Sequence, residues 1–222
     1  KIVKDEFDKL LLVDGISSVC SLPLETDAWG CDVVATASQK GWMLPPGLAF
    51  ISFSERAWKA HKAATMPRFY FDVEQYQHYL EMGQPPFTPA VSAMFALDKA
   101  IGAILDEGMP SIIERHAEIG RLTRDGLRAL GLSILPDESV ASNTVTAAVS
   151  PEGIDADELR AQMQRDHGVV LGNGQESLKG KVFRIGHMGR TTKDEIQQVL
   201  DGLGDVLPKL GYRREGASVV TA

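Results

Sequence analysis

The sequence predicts an α/β fold in two parts: an incomplete unit built on a mainly parallel sheet, then a complete α+β unit. Three observations predict it. Three short apolar runs fall within the first 55 residues, a long stretch with helical spacing begins near residue 88, and beyond it short strands alternate with segments that carry helix-capping pairs. Apolar runs without alternation suit strands covered on both faces, and strands interleaved with helices suit a layered α/β arrangement.

The elements follow in order. The opening residues look like the tail of a helix running into a buried strand, so the chain is expected to start mid-fold and to lack the amino-terminal part of its first domain. Residues 10–13 form the first strand, ending at Asp14-Gly15. Residues 32–37 form the second, ending at Ser38-Gln39-Lys40-Gly41, and residues 48–53 the third, after Pro45-Pro46-Gly47. Three strands make a poor sheet alone, so more are expected elsewhere. A Pro-, Tyr- and His-rich stretch then reads as irregular. Thr88-Pro89 opens a helix, with Thr88 as cap and Pro89 at the first helical position, and Gly108 ends it. Pro110 opens a second helix that stops at Gly131. Short strands are expected at 132–135, 143–149, 169–171 and 181–185, with Gly172-Asn173-Gly174 as a turn. Asp155 with Glu158, and Thr192 with Glu195, have capping-box spacing. The resulting domains are 1–107, 108–211 and a loose tail at 212–222.

Composition sets the limits. The 222 residues are 44% hydrophobic and 24% charged, which is ordinary for a folded domain and excludes wholesale disorder. Lys plus Arg number 23 against 30 Asp plus Glu, a net charge of −7. That balance argues against nucleic-acid binding, which needs a broad basic face. No run is long and apolar enough to span a bilayer, and the start has no apolar signal core, so a cytoplasmic protein without a membrane partner is expected. Two cysteines, Cys20 and Cys31, exclude a disulfide framework, and the five histidines lack the spacing of a metal helix.

Asp14 and Lys40 are the most informative pair, because each stands where an apolar strand ends and open α/β sheets bind ligands beyond the carboxyl ends of their strands. A structural ion pair, or two unrelated loop charges, stays open on spacing alone. The setting of Lys40, between small polar residues and Gly41-Trp42, favours a desolvated amine. Its neutral form is the nucleophile that imine formation with an aldehyde requires.

Several segments carry a resemblance: Leu-Leu-Val-Asp-Gly-Ile-Ser-Ser (11–18), Ala-Ser-Gln-Lys-Gly (37–41), Pro-Pro-Gly (45–47), Phe-Thr-Pro-Ala-Val (87–91) and Phe-Arg-Ile-Gly-His-Met-Gly (183–189). In order and spacing they resemble the class V pyridoxal-phosphate aminotransferases, in particular the alanine–glyoxylate and serine–pyruvate group with its relatives known as soluble hydrogenase small subunits. The resemblance implies the fold type I architecture, with only the later portion of the large domain present. It implies amino transfer from alanine or serine to glyoxylate or pyruvate, in a homodimer with shared active sites. Lys40 would bind pyridoxal phosphate covalently and move the substrate proton. Asp14 would pair with the pyridine nitrogen, Ile16 would pack on the ring, Gln39 would contact the phosphate, and Arg184 would hold the substrate carboxylate. Thr88 matches a phosphate ligand supplied by the neighbouring subunit; a plain helix cap is the alternative. Pro85 stands where the family often has a Tyr, which leaves that second contact open. No metal is implied. Two other readings remain: a non-catalytic fragment or assembly subunit, and a cysteine desulfurase. The latter would want a His before Lys40 and a Cys beyond Cys31, and has neither.

Overall fold

The computed structural model describes residues 2–213. The chain divides into two units, Lys1–Val19 with Pro23–Asp106, and Cys20–Leu22 with Glu107–Ala222.

In the first unit α1 (Ile2–Asp5) leads to β1 (Leu12–Asp14), followed by α2 (Thr26–Trp29), β2 (Val33–Ala37), β3 (Ala49–Phe53), α3 (Glu55–Ala63), α4 (Val73–Glu81) and α5 (Val91–Glu107). The sheet order is β1-β2-β3, with β1 parallel to β2 and β3 antiparallel to it. Asp14 lies opposite Ala35, so β1 and β2 end at the same edge. The other edge is tied by Asp32. Its carboxylate accepts the Leu11 N–H and the Ser54 hydroxyl, each at 2.9 Å, and lies 3.6 Å from the Lys4 ammonium. Burial alone would raise this carboxyl; the two hydrogen bonds and the nearby cation outweigh it and hold Asp32 below the usual carboxylate range.

Three expectations for this unit need correction. The stretch read as irregular contains α3 and α4, started by Ser54, which accepts the Ala57 N–H, and by Asp72, which accepts the Glu74 N–H. Their half-polar sequences show little apolar periodicity, so only the caps could have revealed them. Thr88 does not cap α5. The Pro89 carbonyl accepts the Val91 N–H in a tight turn, and the first helical bond runs from Met94 N–H to the Ala90 carbonyl, leaving Thr88 outside the helix. Nor are β1 and β3 covered on both faces: each is an outer strand, and Leu12 is 65% and Ile51 53% exposed.

The second unit contains α6 (Met109–Ala129), β4 (Val145–Val149), α7 (Ala156–His167), β5 (Gly172–Asn173), β6 (Val182–Gly186) and α8 (Lys193–Lys209). Its sheet is antiparallel throughout, in the order β4-β6-β5. Alternation divides the faces. Ala148, Phe183 and Ile185 join Leu127, Leu159, Met163, Leu200 and Leu203 in one core, whereas Val145, Ala147 and Arg184 lie on the less buried face. Thr192 and Glu195 form a reciprocal capping box at α8. Asp155 caps α7 by accepting the Asp157 and Glu158 N–H groups, without the return contact.

Two strands here are not where the apolar runs put them. At 132–135 there is a single bridge, Ile134 to Ala148. At 169–171 there is no strand, because α7 takes the backbone groups: Arg160 Nε donates to the Leu171 carbonyl at 2.8 Å and Val169 N–H donates to the Met163 carbonyl. The strand falls instead on Gly172-Asn173, read from sequence as a turn. Tyr212, read as tail, packs against the core and donates its hydroxyl to the Gly131 carbonyl at 3.0 Å; residues 214–222 of that expected tail lie outside the described residues.

Large apolar side chains remain uncovered in the first unit, Phe71 at 84% and Phe95 at 73% exposure among them, besides the bare positions on β1 and β3. Such surface drives association. The 222-residue chain in isolation is therefore expected to self-associate or precipitate at micromolar concentration. Light scattering that reports a lasting monomer would contradict this.

Candidate active site

The turn after β1 is fixed by its backbone. Gly15 N–H donates to the Ala35 carbonyl at 2.8 Å, and Ile16 N–H donates to Asp14 Oδ1 at 2.9 Å. A Cβ at Gly15 would come within 2.8 Å of Val19 Cγ2, so only glycine fits this close approach. Asp14 is exposed and Ile16 half-buried.

The turn after β2 is organised by Ser38, which has no exposed surface. Its hydroxyl donates to the Pro45 carbonyl at 2.7 Å and accepts the Leu48 N–H at 3.2 Å, while its carbonyl accepts the Leu44 N–H. Trp42 closes the turn from within: Nε1 donates to Thr36 Oγ1 and the indole packs 4.5 Å from the Phe50 ring. Lys40, half-buried, is held at the apex, its carbonyl accepting the Met43 N–H. Asp14, Ile16, Gln39 and Lys40 thus sit in two successive turns at one edge of a parallel strand pair. The two turns place a carboxylate and an amine at that edge.

Thr88 is exposed ahead of α5 and makes no hydrogen bond among the described residues. Arg184 belongs to the second unit. β6 is the central strand of its sheet, with Ala147 on one side of Arg184 and Gly172 on the other. Arg184 Nε donates to the Asn173 carbonyl at 2.8 Å.

Two buried histidines, His116 and His187, shape the turn beyond Arg184. His116, on α6, donates from Nδ1 to the Ile112 carbonyl at 2.7 Å and accepts the Gly189 N–H at Nε2, 3.1 Å away. Arg115 holds the next peptide group, donating to the Gly189 carbonyl at 2.5 Å while pairing with Glu107. His187 donates from Nδ1 to the Asn143 carbonyl at 3.1 Å and meets the Thr146 hydroxyl at Nε2, 2.8 Å away. Burial pushes both imidazoles down, His187 to about 4. The sequence signal for His116 was its place in the stripe Ile112, His116, Ile119, Thr123 of one helix face.

The one triad of metal-capable side chains among the described residues is His61, Asp72 and Glu74. Arg68 already occupies the gap, with Nη2 3.3 Å from His61 Nε2 and Nε 3.3 Å from the Asp72 carboxylate, so the cluster reads as an ion-paired latch. Burial raises the Cys20 thiol to about 11, which leaves it inert. No helix among the described residues is long and apolar enough to cross a membrane.

Comparison with known proteins adds to this geometry. The family model described as Aminotransferase class-V matches residues 1–199. The soluble hydrogenase small subunit of a Synechococcus species is 40% identical over 99% of this chain and 58% of its own length. Serine–glyoxylate aminotransferase of Arabidopsis thaliana is 38% identical over 91% of this chain and 51% of its own. The crystal structure of pyridoxamine–pyruvate aminotransferase from Mesorhizobium loti superposes with a TM-score of 0.90 at 33% identity, covering 96% of this chain and 55% of that one. The chain spans about half the length of the curated relatives it matches.

The neutral histidines make stability pH-dependent. His187 binds its proton near 6.5 when unfolded but near 4 when folded. The unfolded state therefore holds more protons between those values, and stability falls as pH drops through that window, by of order 3 kcal/mol for a shift of this size. Arg124 near His187 and Arg115 beside His116 act in the same direction. Urea unfolding from pH 7 to pH 4 should show the decline, with a shallower slope in His187→Asn; equal slopes would contradict the assignment.

Proposed function

The chain belongs to the class-V aminotransferase family and has the fold type I architecture, and from that premise we propose that it is the lysine-bearing part of a pyridoxal-phosphate-dependent aminotransferase. The reading gives it a small amino acid, alanine or serine, as donor and a 2-oxo acid, glyoxylate or pyruvate, as acceptor. The observation that carries it is the pair of turns that hold Asp14 and Lys40 at one edge of β1 and β2. Relatives named for serine, glyoxylate and pyruvate support the substrate class.

The residues fit the cofactor. Asp14 keeps one carboxylate oxygen beyond its contact with Ile16, the missing side chain of Gly15 lets the turn stay tight, and Lys40 presents an amine on a braced turn. When bound, pyridoxal phosphate supplies an aldehyde for an amine and a pyridine ring that draws off the electron pair left at the substrate Cα. Asp14 would hold the proton on the ring nitrogen, which that electron withdrawal needs. Ile16 would cover a ring face and exclude water. Gln39 would contact the phosphate from this subunit, and Thr88 from the other subunit of a homodimer. Lys40 Nζ would anchor the cofactor at rest and then carry the proton between the substrate carbon and the cofactor. Arg184 would fix the substrate carboxylate by a bidentate contact that Lys could not copy. A cytoplasmic setting suits these soluble substrates.

A second reading, an assembly subunit without catalysis, is favoured by the 40% identical relative named as a hydrogenase subunit. Amino transfer separates the two. With alanine or serine as donor and glyoxylate or pyruvate as acceptor, product formation in the complete protein should vanish in Lys40→Ala. In Asp14→Asn it should fall by about 100-fold, the scale of losing one strong electrostatic contact. Absence of transfer with every pair would favour the assembly reading, and full activity in Lys40→Ala would overturn the assignment of Lys40.

A further inference from the structure

The segment Gly172-Asn173-Gly174 has no part in the function described so far, yet it lies directly beside Arg184. β5 is only two residues long and is the outer strand of its sheet, and its register sets Gly172 opposite Arg184. A Cβ built on Gly172 would sit 3.3 Å from Arg184 Cβ and 3.5 Å from Arg184 Nε. The first distance is tight and the second is ordinary contact, so a larger side chain at 172 would crowd the base of the arginine where it lies across β5. The next backbone group, the Asn173 carbonyl, then accepts Arg184 Nε–H at 2.8 Å. Gly174 serves a different need: a Cβ there would fall 2.1 Å from the Leu178 carbonyl oxygen, so only glycine lets the chain close behind β5. The Asn173 side chain is exposed and takes no part.

A guanidinium has five N–H donors in a rigid plane. Anchoring Nε to a carbonyl fixes that plane and leaves both terminal amines, which have no hydrogen-bond partner among the described residues, free as a parallel pair. A parallel pair is what a carboxylate accepts. The geometry points to Gly172 and the Asn173 carbonyl as the positioning element of the carboxylate clamp, one that orients Arg184 for a small 2-oxo or amino acid. The inference rests on the reading of Arg184 as the substrate-carboxylate holder.

Modification by phenylglyoxal, which attacks the two terminal nitrogens of a guanidinium, tests both parts when followed at Arg184 by peptide mass spectrometry in the full chain. Without ligand, the rate at Arg184 should rise several-fold in Gly172→Val, where the added methyls push the guanidinium off Asn173, and stay at the parent value in Asn173→Ala, which keeps the carbonyl. With pyruvate as the probe, protection of Arg184 should require about tenfold more pyruvate in Gly172→Val than in the parent, with melting temperature unchanged. Equal rates and equal protection in Gly172→Val and parent would overturn the positioning role. Failure of pyruvate to protect Arg184 in the parent would instead overturn the carboxylate reading, while the ligand-free rates still decide the orientation. If Gly172→Val does not fold, Gly172→Ala, whose single carbon asks only a small shift, gives the same comparison at smaller amplitude.

Discussion

The parallel register of β1 on β2 is the constraint on which the site depends. Because Asp14 is level with Ala35, the strands release their chains at one edge, and the two turns that follow cannot help being neighbours. Only the first turn uses its charged side chain, one Asp14 carboxylate oxygen accepting the Ile16 N–H. Gly15 N–H on the Ala35 carbonyl fixes the first, and the buried Ser38 hydroxyl, bridging Pro45 and Leu48, fixes the second. The turns are therefore braced mainly by uncharged groups, which leaves the second Asp14 oxygen and the Lys40 amine for chemistry. The opposite edge shows the contrast: Asp32 is fully engaged by Leu11, Ser54 and Lys4, and its charge serves the fold.

The second unit solves a similar problem in a different way. Its sheet packs one face on α6, α7 and α8, and sends Arg184 to the other. An arginine on a central strand has neighbours on both sides, and here they are small, Ala147 and Gly172, so the side chain can lie over the sheet. The turn beyond β6 is then pinned by neutral imidazoles. His116 is the more constrained of the two: its Nε2 faces a backbone N–H, which can only donate, so a second proton on that ring would set two donors face to face. His187 faces a threonine hydroxyl, which can reverse its role.

Much of this was legible in the sequence, for reasons that differ by residue. Continuous apolar runs marked β1, β2 and β3 to within two residues, and their ends marked Asp14 and Lys40, because a buried strand must stop where polarity begins. Thr192 and Glu195 marked α8, since a capping box is local chemistry. The failures were tertiary. The apolar residues at 169–171 lost their strand to competition from Arg160 and Met163, whereas Gly172-Asn173 gained one from pairing with a distant Arg184. Thr88 had the right neighbours for a cap but lost the helix start to the Pro89 turn. The histidine clamp on Gly189 spans 73 residues of sequence, a separation no local pattern encodes.

The central claim is that Lys40, held on the Ser38-braced turn, is the residue that takes pyridoxal phosphate covalently. Borohydride reduction of the protein incubated with pyridoxal phosphate, followed by peptide mass mapping, addresses it most directly. The account predicts the phosphopyridoxyl mass on the peptide containing Lys40 and on no other lysine at stoichiometric yield. Stoichiometric label on another lysine, or a fully loaded protein with Lys40 unlabelled, would contradict it.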